Sequence, residues 1–305
     1  MFGYILRRVA GFLPVLFIIV SLSFFLMRLA PGGPFDQERA LPEQVRANIE
    51  ARYHLNEPLW RQYLRYLGEV ARGDLGPSFR YPDRSVNELL GLGFPVSLTL
   101  GLCALAVALA LGGTAGILAG LRRNSILDYL TMSFALGGVS VPNFVLGPIL
   151  MLIFALGLGW LPVAGWGTWR HLVLPAITLA AFYTAYVARL ARAGMLEVIL
   201  QDFIRTARAK GVREAMVVLR HALPGAVLPV VSYLGPAAAG ALTGSVVVET
   251  IFGIPGVGRY FVQSALNRDY TMVLGTVVFY SVLLIVFNLI VDCLYAYLDP
   301  RVTYS

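Results

Sequence analysis

Charge is scarce in this chain of 305 residues. Asp, Glu, Lys and Arg make up 13% of it, 58% is hydrophobic, and the mean hydropathy is +0.73. Soluble domains carry about 25% charged residues, so an ordinary water-soluble domain is excluded. Cysteine is scarcer still. Cys103 and Cys293 lie in or beside apolar runs and read as small buried residues, not as a disulfide or metal pair. The three histidines, His54, His171 and His221, are far apart and lack metal-ligand spacing. No Gly-x-x-x-x-Gly-Lys-Ser/Thr phosphate cradle occurs. Gly253, Gly256 and Gly258 cluster as Gly-x-x-Gly-x-Gly, which is not the dinucleotide fingerprint, and no strand precedes them; Ile251–Arg259 reads as a Pro/Gly turn after an apolar run. The apolar runs hold no Glu-x-x-His pair and no Ser-Asp-His grouping, which disfavours an intramembrane hydrolase. No catalytic residue, metal or cofactor is expected.

What fills the chain instead is long uncharged stretches: Val9–Met27, Leu89–Leu121, Tyr129–Trp169, His171–Ala188, His221–Val248 and Tyr270–Val291. A spanning helix needs about 20 apolar residues, and arginines at the ends of the shorter runs can snorkel to complete them. In lipid the backbone must satisfy its own hydrogen bonds, so these runs predict helices. The Tyr129–Trp169 run reads as one helix bent near Pro142, followed by a loop, because Gly157–Gly167 is rich in Gly, Pro and Trp. The expectation is an all-α integral membrane protein with six transmembrane helices. The start, Met1–Arg8 before an apolar run, reads as an uncleaved first span.

Orientation follows from basic residues. With the N-terminus inside, the cytoplasmic segments hold Arg7, Arg8, Arg122, Arg123, Arg189, Arg192, Arg205, Arg208, Lys210, Arg213, Arg220 and Arg301, while the two short outer loops hold Arg170, Arg259 and Arg268. Twelve against three obeys the positive-inside rule. The net charge of +7 is therefore mostly topological and weak evidence for nucleic acid. In the outer segment Pro42-Glu43-Gln44 opens one helical pattern. Asn56-Glu57-Pro58 opens another, with Asn56 as N-cap, Trp60, Tyr63, Leu64, Leu67 and Val70 on one face, Arg61, Arg65 and Glu69 on the other, and Gly73 past the end. A packed cap and a docking surface are equally open readings. Glu249 and Asp292, the candidates for an ion-coupled relay, fall near helix ends.

The strongest signal is a basic segment centred on one glycine: Arg205-Thr206-Ala207-Arg208-Ala209-Lys210-Gly211, nine residues, then His221-Ala222-Leu223-Pro224. The loop from Arg192 to Pro224 is long for a helix connection. Helix formers flank Gly211 on both sides, so a left-handed turn between two short helices is expected, with Pro224 closing the unit. A short helix held under a bundle is a lever. The bland alternative is a loop that is basic only for topology.

At these residues the chain resembles the inner-membrane permeases of ATP-binding-cassette importers. Their coupling loop runs Glu-Ala-Ala, three residues, Gly, nine residues, Ile-x-Leu-Pro. Arg205-Thr206-Ala207 stands in the first triplet and His221 at the isoleucine. These departures, with Phe203-Ile204 before them, look like the peptide/nickel branch. Tyr4-Ile5-Leu6-Arg7-Arg8, Arg28-Leu29-Ala30-Pro31-Gly32, Gly73-Asp74-Leu75-Gly76, Val248-Glu249-Thr250-Ile251-Phe252, Arg268-Asp269-Tyr270 and Asp299-Pro300-Arg301 extend the likeness along the chain. Pro34-Phe35, Ala47–Ala51 and Tyr53–Asn56 look most like the B-type permeases of oligopeptide importers. The resemblance implies a type I importer permease fold, divided into residues 1–30 (first span), 31–93 (periplasmic helical segment) and 94–305 (five-helix core with coupling loop 192–224). It implies a second homologous permease, two cytoplasmic ATPase subunits and an external peptide-binding protein, in a bacterial inner membrane with both termini cytoplasmic. The chain itself would bind no nucleotide. Arg205, Thr206, Ala207, Arg208, Lys210, Gly211, Leu223 and Pro224 would couple to the ATPases. Ser140, Asn143, Tyr183, Tyr186, Ser232 and Tyr233 are candidates to line the substrate path, with plain helix–helix contact the alternative at each. Dipeptides, nickel complexes or other small solutes are alternative cargoes, and a secondary transporter or a membrane scaffold are the alternative classes.

Overall fold

A computed structural model describes residues 2–29, 55–81 and 83–298. Among them the regular structure is helical: α1 Phe2–Leu29, α2 Leu59–Ala71, α3 Val86–Leu121, α4 Ile126–Ser140, α5 Asn143–Gly157, α6 Trp169–Val198, α7 Asp202–Ala209, α8 Glu214–Met216, α9 Leu223–Ala226, α10 Leu228–Ile251, α11 Val257–Leu266 and α12 Tyr270–Leu298. Among the described residues five helices are long and apolar enough to cross a membrane, within α1, α3, α6, α10 and α12. The Tyr129–Trp169 run breaks at Val141 and Pro142, both extended (ψ 112° and 146°), which separates α4 from α5. Proline lacks an amide hydrogen and pushes the residue before it out of the helical region, so the expected bend is a full interruption. Each half is a shorter apolar helix. From Leu158 to Thr168 the backbone is irregular as expected, and the Gly165 amide donates to the Phe252 carbonyl at 2.8 Å. The calls on Pro34-Phe35, Pro42-Glu43-Gln44, Ala47–Ala51, Tyr53-His54 and Asp299-Pro300-Arg301 fall outside the described residues.

The chain divides into two compact units, residues 1–96 with 255–285, and 97–254 with 286–305. In the second unit α6 is the central helix, packed by the end of α3, by α4 and by α10. Small residues make this possible. Gly112, Gly116 and Gly120 recur every fourth position on α3. A Cβ on Gly112 would stand 2.5 Å from the Thr184 carbonyl oxygen, and one on Gly116 would press into that of Ala188. Backbones this close are how helices associate in lipid, where burying apolar surface yields no gain. Cys103 is half-buried and unpaired with sulfur; the Cys293 side chain lies outside the described ones.

In the first unit Val86, Leu89, Leu90, Val257 and Met272 form the core. Beside it the buried Asp269 carboxylate accepts from the Ser78 hydroxyl (2.5 Å), the Thr271 hydroxyl (3.0 Å) and the Phe79, Arg80 and Met272 amides (3.1–3.2 Å). One side chain thereby caps α12 and holds the 78–80 loop, the role behind Arg268-Asp269-Tyr270. In the Gly73–Gly76 motif, Asn87 accepts from the Leu75 amide and donates to the Gly73 carbonyl.

One expectation for α2 is corrected. Asn56 is not its N-cap: it sits in a turn upstream, and Pro58 precedes the helix with its carbonyl accepting from the Arg61 and Gln62 amides. Trp60 and Leu64 are exposed, while Gln62 is buried and Arg65, Tyr66 and Glu69 turn inward with it. Gly73 does follow the helix, at φ +76°.

Gly116→Val should lower stability by about 1–3 kcal/mol through overpacking, whereas Gly11→Val, with nothing within 4 Å of its Cβ position, should leave it unchanged. Thermal unfolding of the purified protein in detergent checks the pair.

Candidate coupling site

The Arg205–Pro224 segment folds as an elbow. α7 opens with Asp202 and closes with Arg208, charges matched to the helix dipole. It then stops in a tight left-handed cap. The Gly211 amide donates to the Arg208 carbonyl (2.9 Å), and the Val212 amide to that of Ala207 (3.3 Å). Gly211 has φ +74°, a conformation that costs a side-chain-bearing residue about 1–2 kcal/mol. Across the turn Arg208 donates through Nε and Nη2 to the Glu214 carboxylate (3.0 and 2.5 Å). That hydrogen bond holds the Glu214 carboxyl below its usual pKa, so the latch is made above the carboxylate range and is lost as pH falls through it.

The second arm differs from expectation. Pro224 does not close the unit. It sits in the first turn of α9, and between α8 and α9 the helix widens into a π turn, Val217–Ala222. The wide turn accommodates the missing proline amide, so the arm runs on toward α10 with its helical path barely interrupted.

The elbow has two faces. Ile204 and Ala207 of α7 are buried with Met195 of α6, Val217 and Ala222 of the π turn, and Ala226; Val212 and Leu223 pack against them. A Cβ on Gly194 would press into the Ala226 carbonyl oxygen, so α6 and α9 touch backbone to backbone. The other face is open. Arg205, Thr206, Arg208, Lys210 and Arg213 are exposed, with Leu200 (61%), Phe203 (51%), Met216 (49%) and Leu219 (64%) standing among them. Of the expected coupling residues, then, Arg205, Thr206, Arg208, Lys210 and Pro224 lie on the surface, Gly211 makes the turn, and Ala207 and Leu223 fasten it inward.

One support escaped the reading of the sequence. Arg192, near the end of α6, donates through Nε (2.5 Å) and Nη2 (2.8 Å) to Asp128, which is 2% exposed. Ser125 caps α4 by accepting the Asp128 amide. The Ser125-x-x-Asp128 signature was visible; the arginine 64 residues on was not. Glu249 was read as an ordinary helix end. It lies near the end of α10, yet it is fully buried and accepts from the Ser97 (2.7 Å) and Ser245 (2.6 Å) hydroxyls.

The candidate path residues separate. Tyr186 stacks on Tyr233 (5.6 Å, 18°), Phe182 packs edge-on to Tyr183, and the Arg189 guanidinium lies 5.1 Å over Tyr186. Ser140 and Asn143 flank the α4–α5 break, and Ser232 is exposed with its hydroxyl bonded to the Leu228 carbonyl.

A family described as binding-protein-dependent transport system inner membrane component matches residues 112–304, which contain the whole elbow. The chain belongs to that family. It is 53% identical to the oligopeptide transport system permease protein OppB of Haemophilus influenzae and 51% identical to that of Escherichia coli K12, over 100% of this chain and of each relative. It is 46% identical to the dipeptide transport system permease protein DppB of Bacillus subtilis, over 98% of this chain and 97% of that one. Among solved structures, an inward-facing MetNI methionine ABC transporter matches with a TM-score of 0.60 at 17% identity, covering 69% of this chain and 96% of that one. An amino acid ABC transporter matches at 0.55 and 20%. The fold is thus that of the membrane subunits of ABC importers, and a membrane protein of several passes is what both the family and the apolar helices describe.

For this permease Ile204→Ala should cost about 2–5 kcal/mol by emptying the elbow's anchor. Phe203→Ala, one residue away on the open face, should stay within about 0.5 kcal/mol. Denaturation of the two variants in detergent separates anchor from surface.

Proposed function

We propose that this permease is one half of an ATP-driven, binding-protein-dependent importer of oligopeptides, and that the elbow around Gly211 is where a cytoplasmic ATPase subunit grips it. The elbow's shape carries the reading. Its inner face is bonded into the core and its outer face offers basic and apolar side chains together, the composition of a docking surface. Two ATPase subunits close on ATP, and their motion moves α7. The cluster joining Ile204 to Met195 and Ala226 passes that motion to α6 and to the arm leading into α10. With a homologous second permease the two halves rock, and a peptide delivered by an external binding protein enters between them. Hydrolysis resets the inward-facing state. Coupling falls to Arg205, Thr206, Arg208 and Lys210 as contacts, with Ala207, Gly211, Leu223 and Pro224 setting the shape.

We count α4 and α5 as one broken crossing, which gives six spans, places both termini and the elbow in the cytoplasm, and agrees with the twelve-to-three bias of basic residues. Residues 1–30 then carry the first span, 31–93 an outer segment, and 94–305 the core with loop 192–224. Tyr183, Tyr186 and Tyr233 line the path, with Ser140 and Asn143 at the break between α4 and α5 and Ser232 beside Tyr233. Oligopeptide cargo is favoured over dipeptides because the relatives so named share more identity with this chain.

The test is uptake in vesicles holding the permease pair, the ATPases and the binding protein. Gly211→Val should cut ATP-driven uptake about tenfold or more, while Gly211→Asn, which tolerates the left-handed turn, keeps most of it. Normal uptake by the valine variant, or transport driven by an ion gradient alone, would refute the reading. A peptide-length series in the same vesicles reads the cargo.

A further inference from the structure

The polar face of α2 has a use. Gln62, Arg65, Tyr66 and Glu69 are spaced by three and four residues on one side of the helix. With Phe24 and Arg28 at the end of α1, and the start of α12, they enclose a cavity of about 140 Å³ within the first unit. A single water needs about a tenth of that. Three side-chain atoms in this wall are buried and have no hydrogen-bond partner among the described residues: Gln62 Oε1, Arg65 Nη1 and the Tyr66 hydroxyl. Their neighbours fix their directions. Gln62 Nε2 donates to the Leu55 (3.0 Å) and Glu57 (2.7 Å) carbonyls, so the amide oxygen is the end left over. Arg65 Nη2 donates to both Glu57 oxygens (2.7 and 2.8 Å), which leaves Nη1. Burial raises the Tyr66 phenol above its usual pKa, so it stays an O–H donor.

An occupant must therefore accept from Arg65 and Tyr66 and donate to Gln62. It must also be neutral overall. Arg28 and Arg65 line the site with Glu69, and Glu57 is bonded to Arg65, so cations and carboxylates balance. A bare anion matches neither condition; a zwitterion with an N–H donor matches both. The source is set by position. Arg28 is in the last turn of a spanning helix, the depth of lipid head groups, and Leu22, Leu26 and Leu29 beside it are exposed and apolar.

We propose that this cavity holds the head group of a phosphoethanolamine-type phospholipid, its phosphate toward Arg28, Arg65 and Tyr66, its ammonium toward Gln62 Oε1 and Glu69, and its acyl chains along α1. The proposal needs α1 to be in a bilayer and is independent of the coupling reading.

The test is native mass spectrometry of the whole importer equilibrated in micelles with equal phosphatidylethanolamine and phosphatidylcholine. The two share a phosphate, but the trimethylammonium of choline has no hydrogen to give Gln62. The expected result is roughly tenfold preference for the ethanolamine lipid. Gln62→Leu should erase the preference, and Arg65→Met should weaken retention of both lipids. Equal retention by the unaltered importer, complete displacement of the lipid by an equal concentration of soluble O-phosphoethanolamine, or experimental density holding water alone would overturn the proposal. Should either variant fail to assemble, the measurement on the unaltered importer decides.

Discussion

The cap that ends α7 is the constraint on which the rest depends. Two amide-to-carbonyl bonds, from Gly211 to Arg208 and from Val212 to Ala207, turn the chain back under α6. They require φ +74° at Gly211, which glycine adopts without strain. Once the chain has turned, Ile204 and Val217 meet in a common buried cluster with Met195 and Ala226. Without the turn, α7 is a short helix with no reason to persist, because one of eight residues gains too little from its own hydrogen bonds. Burying Ile204 supplies about 1.5–3 kcal/mol, enough to hold such a helix in one place.

The helices above it are organised by the opposite economy, close contact through residues with almost no side chain. Gly112, Gly116 and Gly194 let backbones approach until a single added carbon would collide with a carbonyl oxygen. An assembly packed this tightly has discrete arrangements rather than a continuum, and that is the property a rocking transporter needs. Arg192 and Asp128 fasten the C-terminal part of α6 to α4.

Much of this was legible in the residues. The glycine between helix formers announced the turn, and Pro142 announced a bend, though not the full break between α4 and α5, because both effects are local to the backbone. What could not be read was set by tertiary partners. The sequence of α2 divides into an apolar and a polar face but does not say which faces the protein: Trp60 and Leu64 are exposed and Gln62 is buried. Asn56 is a good capping residue in isolation, but Pro58 starts the helix two positions later. Pro224 signalled a stop, and the π turn before it absorbed the cost. Glu249 looked like a helix end and Asp128 was not singled out; both are buried among partners distant in sequence. The residues of the candidate path could be named singly, but only folding stacks Tyr186 on Tyr233.

The most direct measurement of the central claim is site-specific photo-crosslinking from the position of Phe203, which is half exposed on the open face of the elbow. In the assembled importer the account predicts a crosslink to the ATPase subunit whose yield changes when ATP binds. A probe that reacts only with reagents or proteins on the outside of the cell, or that never reaches the ATPase in an active complex, would contradict it.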